Sequence, residues 1–115
     1  MSISLYHNPR CSKSRAALKL LTERGIEPEI IEYLKAPPDE NGLRTLLDQL
    51  GMEPRELMRT KEAEYKDNGL DDPTLDRDAL IRAMIAHPKL IERPILINAD
   101  RAAIGRPPER ILDIL

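Results

Sequence analysis

Cys11 is the one cysteine in this 115-residue chain, and it stands among cations: Arg10 precedes it, Lys13 and Arg15 follow, and His7 lies four positions upstream. An apolar, β-prone run from Ile3 to Tyr6 leads into a turn containing Pro9. Beyond Cys11, Leu18 and Leu21 fall on one helical stripe with Ala16 and Ala17 beside it. This order predicts a strand at about 3–7, a loop and a helix at about 12–24, with Cys11 at or just before the first helical turn. The N–H groups of a first turn have no carbonyl partners and lie at the positive end of the helix dipole, so they stabilise an anion. A thiol placed there has a lowered pKa, and neighbouring cations push the same way. The stretch therefore reads as a reactive thiol inside an anion-binding nest. The competing reading of a single cysteine, a small, buried and inert apolar residue, stays open on local chemistry, although the flanks are polar and cationic.

The spacing around the sulfur narrows the chemistry. Cys11-Ser12-Lys13-Ser14 has no resolving cysteine, so a dithiol cycle within one chain is excluded and any second thiol comes from outside. Low-molecular-weight tyrosine phosphatases place an arginine after a cysteine and five further residues. Ala17 stands there, and Arg15 comes too early. His7 and His87 are far apart, no Cys/His cluster has zinc-like spacing, and the five glycines form no phosphate loop. Arg59, Arg93 and Arg106 each adjoin an expected element end, and two of them precede prolines, Arg93-Pro94 and Arg106-Pro107. Planar guanidinium groups suit tetrahedral oxyanions through paired hydrogen bonds. Taken one at a time, each is an ordinary surface arginine.

The elements that must position these residues follow in order. Gly25 closes the first helix, and Glu29 to Leu34 suits a second strand, parallel to the first through a right-handed crossover. A helix fits about 39–50, with Leu43, Leu46, Leu47 and Leu50 on one stripe and Gly51 at its end. Pro54 opens a short helix, residues 60–73 read as irregular, and Asp76 caps a helix running to about Ala86. Ile95 to Ile97 suits a buried strand, Asn98 to Arg101 a turn, and Ala102 to Ile104 its antiparallel partner. Pro107 and Pro108 open a last amphipathic helix with Ile111, Leu112 and Leu115 facing inward. The expected fold is α/β and thioredoxin-like: βαβ, a helical insert at about 39–88, then ββα, giving a four-stranded mixed sheet in a single domain, 1–115. In that architecture the proline before the third strand, Pro94, is expected to be cis and to face the cysteine.

Phe, Trp and Val are absent, so Leu and Ile must build the core. The net charge of −2 argues against a nucleic-acid partner by bulk electrostatics; a positive site would come from placement. A lone cysteine fits a reducing compartment, and neither a signal pattern nor a membrane-length apolar run is present, so the expectation is a cytoplasmic protein with no membrane partner.

Tyr6-His7-Asn8-Pro9-Arg10-Cys11, Ser14-Arg15, Leu57-Met58-Arg59, His87-Pro88, Leu90 to Ile95 and Gly105 to Glu109 together resemble the glutaredoxin-dependent arsenate reductases of the ArsC type, in register over nearly the whole chain. The resemblance implies an oxidoreductase of arsenic detoxification, with no bound cofactor and acting as a monomer. In it, a Cys11 thiolate attacks arsenate, glutathione serves as co-substrate, and glutaredoxin resolves a mixed disulfide on Cys11. It also implies that Arg59, Arg93 and Arg106, with Ser14 and Arg15, bind the oxyanion, and that His7 tunes the cysteine or fixes its loop. The alternatives are a related thiol oxidoreductase acting on another oxyanion or on glutathione mixed disulfides, and a regulator like the Spx-type transcription factors. Those regulators carry a Cys-x-x-Cys switch, whose second position here is Ser14.

Overall fold

The structure, a computed structural model, describes residues 3–115. Strand β1 (Ile3–Tyr6) leads through a turn to helix α1 (Ser12–Glu23), and β2 (Glu29–Ile31) follows. Helices α2 (Glu40–Leu50), α3 (Pro54–Leu57), α4 (Ala63–Asp67) and α5 (Arg77–Ala86) come next. A 3-10 turn (Pro88–Leu90), strands β3 (Ile95–Asn98) and β4 (Arg101–Ile104), and a 3-10 segment (Pro108–Ile114) complete the chain. The sheet order is β2-β1-β3-β4. β1 is parallel to β2 and antiparallel to β3, and β3 is antiparallel to β4. This mixed sheet is the thioredoxin-like α/β arrangement. No helix among the described residues is long and apolar enough to cross a membrane.

The chain divides into two compact units. The sheet unit comprises the described residues up to Ala36 and Arg93–Leu115, and the helical unit is Pro37–Glu92. In the sheet unit, α1 and the C-terminal segment cover one sheet face, and Leu5, Ala17, Leu21, Leu96, Ile111 and Ile114 form one buried cluster. Each fully buried Leu or Ile side chain stabilises by about 1.5–3 kcal/mol. In the helical unit, α2 lies against α5, burying Leu43, Leu46 and Leu47 from one helix and Leu80, Ile81 and Met84 from the other. Asp39 and Asp76 cap these helices, accepting from the Gly42 and Ala79 N–H groups at 2.7 and 2.8 Å.

The structure differs from the sequence expectation at three places. The second strand stops at Ile31 rather than running to Leu34, because its partner β1 ends at Tyr6 and offers no further edge. The chain then turns, Lys35 and Ala36 both donating to the Glu32 carbonyl. Residues 60–73 are not wholly irregular: α4 forms there, and Arg55 braces it by donating to the Tyr65 hydroxyl at 2.8 Å and to the Leu70 and Asp72 carbonyls. The C-terminal segment is 3-10 rather than α, so its inward face repeats every three residues. Ile111 and Ile114 are buried, and Leu115, expected inside, is 43% exposed.

Candidate active site

Cys11 occupies the N-cap of α1, with the extended backbone angles typical of that position (φ −93°, ψ 124°). The loop before it closes on itself: Cys11 N–H donates to the Asn8 carbonyl at 3.0 Å, and the Cys11 carbonyl accepts from Arg15 N–H at 3.0 Å. The thiol is partly exposed rather than sealed in the core. It makes no regular capping hydrogen bond, yet the first-turn N–H groups act on it. Burial taken alone would raise its pKa. The Ser14 N–H, the Arg93 charge, the Lys13 N–H and an Arg93 side-chain hydrogen bond oppose that, and together they hold the thiol below its ordinary value.

Arg93 opens the second segment of the sheet unit, just before β3. Its peptide bond to Pro94 is cis. Two contacts fix this corner. Gly105 N–H donates to the Pro94 carbonyl at 2.8 Å, and Arg106 Nε donates to the Arg93 carbonyl at 3.0 Å. Gly105 allows a close approach that a side chain would prevent: a Cβ there would stand 2.7 Å from Pro94 Cγ and 3.2 Å from Ile111 Cγ2. Arg106 is itself followed by a cis proline, Pro107.

His7 and Ser14 are both buried, and their side chains lie together. Ser14 Oγ is 2.6 Å from His7 Nδ1 and accepts from Asn8 N–H at 3.0 Å. With that acceptance made, the hydroxyl proton can point at Nδ1 of a neutral ring. Burial keeps the ring neutral, lowering its pKa; Glu32 pulls the other way and Arg15 adds to the lowering. The Ser14 hydroxyl is thus engaged inside the loop, and what this residue turns to the sulfur is its backbone N–H. Arg15 donates from Nη1 to the Pro9 carbonyl at 3.0 Å, bracing the same loop from outside.

Of the residues singled out from the sequence, Cys11, His7, Ser14, Arg15, Arg93, Pro94 and Arg106 meet in the sheet unit. Arg59 lies in the helical unit. Its N–H donates to the Leu90 carbonyl at 2.7 Å, and its guanidinium pairs with Glu62 at 2.6 Å and Glu92 at 3.9 Å. Sequence reasoning gave Glu62, Glu92 and Gly105 no role of their own. The three-residue spacing from Arg59 to Glu62 is a local signal for the first, and a glycine between a strand and Arg106-Pro107-Pro108 is one for the last. Nothing local links Glu92 to Arg59. Among the described residues, no group of three or more His, Cys, Asp or Glu side chains is arranged to hold a metal ion.

Residues 6–114 match the ArsC family. The chain belongs to the ArsC family. An arsenate reductase of Neisseria meningitidis is 53% identical over 114 residues, which cover 98% of this chain and 97% of the relative. One from Haemophilus influenzae is 48% identical, with both chains covered in full. The solved structure of an arsenate reductase from Vibrio cholerae superimposes with a TM-score of 0.97 at 52% identity, covering all of this chain and 98% of the other. The ArsC match contains Cys11, Arg59, Arg93 and Arg106, so the thiol corner and the helical unit's arginine both lie inside the family region.

Proposed function

We propose that this protein is a cytoplasmic arsenate reductase that uses Cys11 as nucleophile and draws electrons from glutathione and glutaredoxin. The observation that carries the reading is the partly exposed Cys11 thiol at the start of α1, held below its ordinary pKa by first-turn N–H groups and Arg93. The 53% identical N. meningitidis arsenate reductase supports it from sequence. Arsenate is largely a dianion near neutral pH, so an anionic nucleophile approaches it only where cations screen both charges.

In the proposed reaction the Cys11 thiolate attacks arsenic and displaces hydroxide, which leaves as water after taking a proton. Arg93 and Arg106 neutralise the arsenate oxygens. The glutathione thiolate then attacks Cys11 Sγ. A disulfide forms, the S–As bond breaks, and its electron pair stays on arsenic, taking As(V) to As(III). A glutaredoxin thiolate attacks the glutathione sulfur and releases Cys11 as thiolate. His7, Ser14 and Arg15 hold the loop in the shape that aims the N–H groups at the sulfur.

The test is arsenate-dependent NADPH oxidation with glutathione, glutaredoxin and glutathione reductase present. Turnover is expected in the unaltered protein and not in Cys11→Ser. Turnover that survives in Cys11→Ser refutes the nucleophile. Reduction of glutathione mixed disulfides without any arsenate turnover favours the related thiol oxidoreductase instead.

A further inference from the structure

A cavity of about 430 Å³ opens beside the Cys11 loop, entirely within the sheet unit. One wall is the loop before the cysteine, including Pro9 and Arg10; the other is the turn after β2, with Glu32, Leu34 and Lys35. This size suits a small organic ligand. Asn8 lines it too, and the Asn8 carbonyl accepts from Cys11 N–H, so the wall and the thiol share one turn of chain. Leu34 is 39% exposed, an apolar surface left facing the opening. The cavity carries charge of both signs: Arg10 on one side, a Glu32–Lys35 pair 3.7 Å apart on the other. That pair is solvent-exposed and therefore weak, so its two charges are cheaply turned to a ligand.

From this placement the geometry points to the cavity as the site that seats the γ-glutamyl end of glutathione while its thiol reaches toward Cys11. The γ-glutamyl group ends in an amino-acid zwitterion. Its ammonium complements Glu32, its carboxylate complements Lys35 and Arg10, and its methylenes lie on Pro9 and Leu34. The inference rests on glutathione as the reductant proposed above.

Non-reactive thioethers test it by amide chemical-shift mapping. S-methylglutathione and γ-glutamyl-S-methylcysteine are expected to shift amides of residues 7–10 and 32–35, and S-methylcysteinylglycine is not, because it lacks the zwitterionic arm. Lys35→Glu is expected to abolish the response and raise the glutathione KM about tenfold. Lys35→Arg is expected to restore both. Shifts confined to other residues, no shifts, an equal response to S-methylcysteinylglycine, or an unchanged KM in Lys35→Glu overturns the assignment. Protection of Cys11 from alkylation by arsenate is measured alongside, since it involves no glutathione. Loss of that protection in the unaltered protein would sink the reductase reading, whatever the cavity binds.

Discussion

A sulfur atom at the start of a helix is polarised by groups that cost the protein little, since first-turn N–H groups need an acceptor anyway. What distinguishes Cys11 is that Arg93 adds its charge to the Ser14 and Lys13 N–H groups, enough to outweigh the opposing effect of burial. Removing that charge in Arg93→Ala is therefore expected to raise the Cys11 pKa and slow alkylation at neutral pH, read as iodoacetamide rate against pH. His7 supplies a pH dependence of its own. Its folded pKa lies below its unfolded value, so the neutral ring's contribution to stability is complete above about pH 6.5 and declines as pH falls toward the folded value. Cys11 has the same sign at a higher pH: the thiolate's contribution is complete above the unfolded thiol pKa and is lost as pH falls through the folded one. Denaturation midpoints are expected to drop as pH falls below about 6.5, with a shallower drop in His7→Gln.

Among elements, the corner where β4 ends against the cis Arg93–Pro94 bond controls the site most directly. Gly105→Ala puts a methyl group 2.7 Å from Pro94 Cγ and 3.2 Å from Ile111 Cγ2, and the proline ring is tied to the backbone at both ends. This substitution is expected to destabilise by about 1–3 kcal/mol and, by shifting Arg93, to raise the Cys11 pKa. Urea denaturation and thiol titration of one sample check both effects. The helix starts were legible in the sequence because their signals are local: the Leu43, Leu46, Leu47 stripe marks α2, Asp76 caps α5, and Cys11 precedes the Leu18, Leu21 stripe. The thiol loop was legible for the same reason. Elements set by distant partners were not. The end of β2 is dictated by where β1 stops, α4 is braced by Arg55 through contacts ten to seventeen residues away, and the last segment's three-residue phase is set by burial against the sheet. The arginine set shows the same limit. Arg93 acts on a sulfur more than eighty residues away, and only the family resemblance grouped it with Arg106 in advance.

Across the whole molecule, a chain with net charge −2 concentrates positive charge at its thiol, by backbone N–H groups and Arg93 rather than by bulk charge. A core without Phe, Trp or Val depends on interlocking Leu and Ile, with little aromatic surface to spare. Leu21→Ala, fully buried in the sheet-unit cluster, is expected to destabilise by about 2–5 kcal/mol, seen as a lower urea midpoint with an unchanged slope. The exposed Arg44–Asp78 pair, although 2.6 Å long, is expected to matter far less: Asp78→Asn should leave the urea midpoint close to that of the unaltered protein.

The claim beneath all of this is that the fold holds its single thiol below its ordinary pKa. Following thiolate absorbance of the native protein against pH reads that property without any assumption about substrate, because Cys11 is the only thiol present. The account predicts a transition below that of free cysteine, moving upward in Arg93→Ala. A transition at the free-cysteine value in the unaltered protein would contradict it.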